Sequence, residues 1–475
     1  MSDQGIPFHR HIISLICMAI ISGGLVFYFQ KPSLASYSTS QSSDELEKIH
    51  QLYTKIQNEY YQEVNSDLLI EGALKGMTDS LADPYTSYLN QEAAASFTTS
   101  LSGEFEGIGA TLQLVDDLPE VAQSPVKNSP AEKSGLRVHD QILQVDGRIT
   151  KGLPLSEIVS FIRGEKGTSV QLQIKRADEI FDVAVVRDVI PVYSVYGQLA
   201  SENSTIGQIE IVNFSQNTAL ELKEMIEELR KEGATSWLID LRQNPGGYLD
   251  QVEKMASMFL EDGEKIVQFS LKNQILGEVV ASQKLDQGFK VQEPVVVLVD
   301  GGSASASEIF AAALKESANV PIVGTTTYGK GTVQSVSSFQ DQSELKLTVQ
   351  KWLTPSGNWL HETGLEPDIV IDFPEYAYLI PLSKKQTLKL NDELAEISTL
   401  NQFLQALGYL TTVENSYSLV TKQAVEQFQM DNQLEVTGEV DQETASLIEI
   451  RLSQHLKKTD PMRQKALETL TEMIQ

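Results

Sequence analysis

Ser305 and Lys330, 25 positions apart, are the side chains of this sequence best placed to do chemistry. In EPVVVLVDGGSASASEIFAAALKES, the β-rich run Val295 to Val299 turns through Asp300-Gly301-Gly302 into a helix that would bury Ile309, Phe310, Ala313 and Leu314. A serine at such a strand-to-helix turn exposes its hydroxyl, and the first helical N–H groups point toward any anion forming beside it. That arrangement suits acyl transfer. The residues Ser305-Ala306-Ser307-Glu308 also satisfy the S-x-x-E capping box, in which the hydroxyl only closes the helix end and Ser303 and Ser307 are ordinary turn serines.

The second piece is TTTYGKGTVQ, where Lys330 stands between Gly329 and Gly331 and Gln334 follows in a predicted strand. Two glycines let the backbone approach another element closely. A lysine in a packed turn, rather than on a solvated face, loses its charge through desolvation and can act as a base. The other reading, a phosphate-binding lysine, lacks the full G-x-x-x-x-G-K-[ST] arrangement. A third piece, LIDLRQNPGGYLD, ends a strand at Asp240-Leu241-Arg242 and turns through Asn244-Pro245-Gly246-Gly247. With the N–H of Ala306, an N–H of Gly246 or Gly247 would form an oxyanion hole, whose donors are each worth about 3 to 4 kcal/mol of barrier. Read blandly, NPGG is an ordinary loop. Of six histidines only His361, in GNWLHETGLEPD, falls in the same region. It reads as a loop histidine, so a Ser-Lys pair is favoured over a histidine triad.

Elements must hold these pieces together. Across residues 204–372, apolar strands alternate with amphipathic helices, one of them marked by Leu222, Met225, Ile226 and Leu229, which predicts an α/β core. Residues 103–189 read as short β-rich runs with one helix between Leu155 and Ile162, a small mixed domain. Residues 44–97 read as helical, with Leu46, Ile49, His50 and Tyr53 at helical spacing. Beyond Pro381 the strands stop, and residues 388–456 predict three short helices followed by an exposed helical tail over 457–475. The expected division is 1–32 anchor or signal, 33–43 linker, 44–102 helical region, 103–189 inserted domain, 190–380 core, 388–456 helical domain and 457–475 tail. A length of 475 residues fits such a multidomain layout.

Composition narrows the function. A hydrophobic fraction of 41% with 21% charged residues belongs to a folded protein, and a net charge of −28 disfavours nucleic acid and anionic lipid as partners. The lone Cys17 permits neither an internal disulfide nor a Cys-built metal site, so no metal and no cofactor are expected. Residues 12–29 are uncharged and apolar apart from Ser14 and Ser22. As a helix they would span about 27 Å, enough to cross a bilayer. They read as a membrane anchor, the alternative being a signal peptide cleaved near Ser33-Leu34-Ala35. Either reading exports the rest of the chain.

SASASEIFAAAL followed by YGKGTVQ closely resembles the carboxyl-terminal processing peptidases, and DLRQNPGG and TPSGNWLHETGLEPD look like further family segments. The resemblance implies Ser305 as nucleophile, Lys330 as base and Gln334 as the residue that positions the lysine. It implies a multidomain α+β chain with a core related to the crotonase and Clp-type folds, cutting unstructured protein segments near their carboxyl termini. Phe105-Glu106-Gly107-Ile108-Gly109-Ala110 is similar to the loop with which PDZ domains hold a peptide carboxylate. Gly107, Ile108 and Gly109 would then bind the substrate terminus while the peptide adds as a strand. SPAEKSGLRVHDQILQVDG fits the later part of that pattern, with His139 where the family has glycine. Arg163 is implied as a gating residue between this domain and the Ser-Lys pair, its plainer reading being a surface arginine. LNQFLQALGYL and TKQAVEQFQMDNQLEVTGEVDQET resemble a type-one peptidoglycan-binding domain with Leu400, Leu404, Leu407, Val425, Phe428 and Leu434 as core. A homodimer through the terminal regions is also implied. The rival functions are a catalytically silent PDZ and wall-binding scaffold and, by fold analogy, an acyl-CoA enzyme.

Overall fold

Two strands, Ser236–Asp240 and Val295–Val299, are buried at every residue and fix the centre of the chain. The computed structural model describes residues 42–474. Strands buried on both faces need cover above and below, which parallel pairing with helical crossovers supplies. The resulting sheet has six strands, in the order Val195–Ala200, Asn203–Ile211, Ser236–Asp240, Val295–Val299, Ile322–Gly324 and Ile369–Val370. Only the first pair is antiparallel. Trp237, Ile239, Val295, Val297 and Val299 pack with Leu222, Ile226, Met255 and Phe310 of helices Thr218–Glu232, Leu249–Phe259 and Ala306–Ala318. Leu238, Val296 and Leu298 belong to a different cluster, as the two-residue period of a strand requires.

The tail corrects the expectation of an exposed helix. Helix Pro461–Ile474 buries Met462, Ala466, Leu467 and Leu470 against Leu238, Val296, Leu298 and Val323. Those four residues form one helical stripe, and without them this face of the sheet would meet water. Leu470 is completely buried. Leu470→Ala is therefore expected to destabilise the core by about 2–5 kcal/mol, read as a lower denaturation midpoint at unchanged m-value. A loss below about 0.5 kcal/mol, the range of surface substitutions, would contradict the docked helix.

A second, antiparallel sheet is absent from the sequence reading. Its longest strand, Glu344–Leu353, pairs with Thr332–Ser338, Lys265–Leu271 and Ser87–Leu89, and Lys265–Leu271 also pairs with Gln274–Val280. The helical reading of 44–97 is thus interrupted, because Ser87–Leu89 separates helix Gln91–Ser102 from helices Ser42–Glu59 and Ser66–Asp79. Three residues carry too short a period to register as a strand. Residues from Asp83 onward share one compact unit with the core, and the helices before Ala82 belong to a separate unit.

A two-stranded ribbon, Glu104–Gly107 with Asp188–Pro191, flanks the β-rich domain. Strands Leu112–Val115, Leu118–Val121, Gln141–Val145, Ser169–Arg176 and Glu179–Val186 form its sheet in that order, and the short strand Arg148–Ile149 also pairs with Gln141–Val145. Helix Leu155–Ile162 has the expected bounds, and Ile158 joins Ile142, Val145, Val170, Leu172 and Ile174 in the core. His139, at the expected glycine position, has φ of 69°, the left-handed region that glycine adopts without strain. Helices Ala395–Ala406, Leu419–Asp431 and Gln442–Thr459 enclose Leu400, Leu404, Val425 and Phe428, with Leu407 and Leu434 partly buried beside them. Residues 12–29, including Cys17, lie outside the described residues. Among the described residues no helix is long and apolar enough to cross a membrane.

Candidate active site

Ser305 occupies the turn into helix Ala306–Ala318 with φ of 55° and ψ of −111°. A non-glycine residue held there costs on the order of 1–3 kcal/mol and persists only where its surroundings enforce it. The flanking serines supply part of that enforcement. Ser303 and Ser307 are fully buried, and their hydroxyls donate to the carbonyls of Leu241 at 2.8 Å and Asn244 at 2.9 Å. They are not ordinary turn serines: they stitch the Ser305 turn to the glycine turn. Ser305 alone of the three is partly exposed.

On the other side of that seam, the buried Asn244 donates from Nδ2 to the Ile211 carbonyl at 2.6 Å and accepts the Gly246 N–H on Oδ1 at 2.9 Å. Gly246 has φ of 98°, and a Cβ there would stand 2.9 Å from Ser305 Cβ and 3.0 Å from Ala306 N. Gly247 lies against Phe214, whose carbonyl oxygen would be 2.2 Å from an added Cβ. The Gly246 N–H is therefore committed to Asn244. Those of Gly247 and Ala306 have no acceptor among the described residues. Just before this turn, Arg242 binds Asp240 at 2.6 Å and Asp460 at 2.8 Å. Asp460 also accepts the Arg463 N–H at 2.9 Å, so the start of the tail helix braces the glycine loop.

Glu308 joins the two halves of the candidate site. Fully buried, its Oε2 accepts the N–H of Ser305 and the N–H of Lys330, both at 2.8 Å. Its Oε1 accepts the Gly329 N–H at 2.7 Å and the Thr327 hydroxyl at 2.6 Å. One oxygen thus lies between the backbone nitrogens of Ser305 and Lys330. The lysine loop is fixed further by Trp352 Nε1, which donates to the Lys330 carbonyl at 2.7 Å, and by Trp359 Nε1, which donates to the Gly331 carbonyl at 2.8 Å. Gly331 N–H donates to His361 Nδ1 at 3.3 Å.

The Lys330 amine stands 5.1 Å from the centroid of the Tyr85 ring. No carboxylate lies within ion-pair distance of it among the described residues. Burial, reinforced by the positive charge of Lys346, holds its pKa below the ordinary lysine range, against the opposing pull of Glu308 and Asp83. Burial also pushes the Tyr85 hydroxyl up to about 12, with help from Tyr328. Burial pushes Asp83 upward, but hydrogen bonds from Thr348, Thr86 and the Tyr85 N–H outweigh it and leave this carboxyl below its usual range.

The Lys330 amine makes no hydrogen bond to Ser305 Oγ or to Gln334 in this conformation. Gln334 Nε2 donates instead to Thr332 at 3.0 Å and to its cross-strand neighbour Thr348 at 3.3 Å. In the β-rich domain, the carbonyls of Ile108 and Gly109 accept from Ala131 at 2.8 Å and Val126 at 2.9 Å. The N–H groups of Ile108, Gly109 and Ala110 have no acceptor among the described residues. Leu112–Val115, which follows them, is an edge strand of its sheet. Gly107 is paired with Asp188 in the ribbon. The Arg163 guanidinium lies over the Phe105 ring at 4.9 Å, on that ribbon, and makes no contact with Ser305 or Lys330.

The capping-box pattern accounts for Glu308 locally, Asn244 reads only as part of the glycine turn, and nothing in the sequence marks Asp83 or Tyr85. Glu308 had a signal: it is the one acid at the start of the otherwise apolar helix segment IFAAAL. Asp83 and Tyr85 had none, since their approach to Lys330 depends on the short Ser87–Leu89 strand.

The profile of peptidase family S41 matches residues 205–371. Profiles of a PDZ domain, a peptidoglycan binding domain and the N-terminal domain of the activating protease CtpB match residues 98–175, 393–448 and 28–93. The chain is 40% identical to the carboxy-terminal processing protease CtpA of Bacillus subtilis (strain 168), over 96% of this chain and 97% of that protein. To the "Probable CtpA-like serine protease" of Staphylococcus aureus (strain MRSA252) it is 36% identical, over 96% and 91% of the two chains. Among solved structures, the photosystem II D1 C-terminal processing protease aligns with 68% of this chain and 86% of its own at 26% identity, with a TM-score of 0.39.

Proposed function

This chain belongs to peptidase family S41 and is a hydrolase of the carboxy-terminal processing type, and from that premise we propose how it cuts. Ser305 is the nucleophile of an endopeptidase that cleaves unstructured protein segments near their carboxyl termini. The neutral Lys330 amine takes the Ser305 proton as Oγ attacks the peptide carbonyl, and the resulting ammonium gives that proton to the leaving amine. Water, deprotonated by the same amine, then releases the acyl-enzyme. The tetrahedral oxyanion lies between the N–H groups of Ala306 and Gly247, the pair left without acceptors. Gly246 serves this hole by letting the turn approach Ser305. Gln334 positions the amine once it exchanges its threonine partners for Lys330. The single observation that carries the reading is Glu308 Oε2, which accepts the backbone N–H groups of both Ser305 and Lys330.

The β-rich domain selects the substrate. The free N–H groups of Ile108 and Gly109 receive the terminal carboxylate, and the peptide extends along the open edge of Leu112–Val115. Its arrival at the ribbon releases Arg163 from Phe105 and brings the amine to Ser305. The protease works outside the cytoplasm, tethered through residues 12–29 and directed to peptidoglycan by residues 393–448. The apolar run and the wall-domain match support this placement.

The test is digestion of a disordered protein bearing either a free or an amidated carboxyl terminus, with the fragments mapped by mass spectrometry. The free terminus is expected to give cuts close to that end, with kcat/KM roughly tenfold above the amidated form, as loss of one charge-assisted contact implies. Ser305→Ala is expected to give no fragments. Equal cleavage of both substrates would remove the terminus-binding role, and cleavage by Ser305→Ala would remove the nucleophile.

A further inference from the structure

The backbone around Lys330 is held by partners of two kinds. Trp352 and Trp359 donate indole N–H groups to the Lys330 and Gly331 carbonyls, and the Trp352 N–H adds a bond to Gly331 O at 3.2 Å. Indoles and amides keep their charge state across the working pH range. His361 does not: its Nδ1 accepts the Gly331 N–H, which requires a lone pair there and the single ring proton on Nε2.

Packing fixes the ring. It stacks on Trp359 with centroids 5.0 Å apart and planes 19° from parallel, and presents an edge to Tyr85 at 6.1 Å. Tyr85 is the same ring that borders the Lys330 amine. Behind the bond there is no slack, since a Cβ on Gly331 would stand 2.6 Å from Trp359 Nε1 and 2.9 Å from the His361 backbone nitrogen. We propose that His361 is a positioning residue for the lysine loop, and that its protonation disengages the base. This rests on the reading of Lys330 as base. An imidazolium has two N–H groups and no acceptor. The Gly331 N–H would then face another N–H, and the crowding leaves movement of the loop as the relief.

Asp83 acts on the ring electrostatically, Tyr85 meets it edge-on, Glu362 follows His361 in the chain, and the Lys351 ammonium lies 3.5 Å from the centroid of Trp359, on which the imidazole stacks. The Asp83 carboxylate favours the imidazolium, and the Lys351 ammonium opposes it. The imidazolium would also add positive charge against Tyr85, the ring that borders an amine which must be neutral to act. Activity therefore carries two ionisations on its acid side, one of the lysine amine and one of the imidazole that accepts the Gly331 N–H.

The experiment is the pH dependence of kcat/KM for β-casein cleavage by the purified protein and by His361→Asn, His361→Phe and Lys330→Ala. Asparagine offers an untitratable acceptor to Gly331, and phenylalanine keeps the stack without one. In the wild type, log kcat/KM is expected to fall toward acid with a slope approaching about two, and in His361→Asn with a slope of about one. His361→Phe is expected to lose roughly 10- to 100-fold in kcat with KM within about twofold, as a displacement near 1 Å would cause. His361→Asn should recover most of that loss. A His361→Phe enzyme with wild-type kcat, or a His361→Asn profile superimposed on the wild type, overturns the proposal. Should His361→Phe prove unfolded by thermal melting, the His361→Asn profile decides. An active Lys330→Ala overturns the base itself, whereas an inactive Lys330→Ala beside unaltered His361 variants removes only the positioning role.

Discussion

Lys330→Ala is expected to lower kcat/KM on a disordered protein by about ten-thousandfold, the scale seen when a nucleophile loses its base. The expectation follows from how little else near Ser305 could take a proton. His361 Nδ1 is occupied by Gly331, and each Glu308 oxygen already accepts two donors. Lys330→Arg should be equally inactive, because a guanidinium stays charged. The fold should not suffer. Burial holds the folded-state pKa of Lys330 below 10.5, so the folded chain binds this proton less readily than the unfolded chain. Stability from this group is fully present above the unfolded value and is lost as pH falls through the lowered one. At neutral pH Lys330→Met should therefore melt higher than the wild type, and the difference should shrink as pH approaches 10.5. A lower melting temperature for Lys330→Met at neutral pH would contradict the desolvated amine.

Glu308→Ala is expected to have the next largest effect, and on both stability and rate. It leaves the N–H groups of Ser305, Gly329 and Lys330 and the Thr327 hydroxyl without their acceptor in a buried space. An unsatisfied buried donor costs about 1–3 kcal/mol, so a total loss above about 3 kcal/mol is expected even with partial relaxation. Because the same carboxylate sets the spacing of Ser305 and Lys330, kcat should drop by roughly a hundredfold or more in the molecules that remain folded. Glu308→Gln keeps the volume but turns an amide N–H₂ toward donors, and should fall between the two. Chemical denaturation gives the stability, and labelling with a fluorophosphonate gives the active fraction. Wild-type turnover per labelled Glu308→Ala molecule would show that the carboxylate is only structural.

The local settings of Ser305 and Lys330 were legible in the sequence: a buried strand, a glycine turn and an apolar helix around Ser305, and glycines on either side of Lys330. Their relation was not. Glu308 satisfies the capping-box pattern three residues after Ser305, and a pattern that explains a residue locally gives no reason to look for partners 21 and 22 positions away. That the Gly246 N–H is taken while the Gly247 N–H is left free depends on the carboxamide of Asn244, which the sequence pattern does not orient. Of the core, the strand Val295–Val299 was readable from its unbroken apolar run. The tail was misjudged because Met462, Ala466, Leu467 and Leu470 mark an amphipathic face without saying what it covers, and its target strands lie well over a hundred residues earlier in the chain.

The most direct measurement of the central claim is the rate at which a fluorophosphonate modifies Ser305 as a function of pH, in the wild type and in Lys330→Ala. The account predicts a wild-type rate that rises with pH, levels off below 10.5, and collapses across the whole range when the amine is removed. Equal rates in the two proteins at every pH would contradict it.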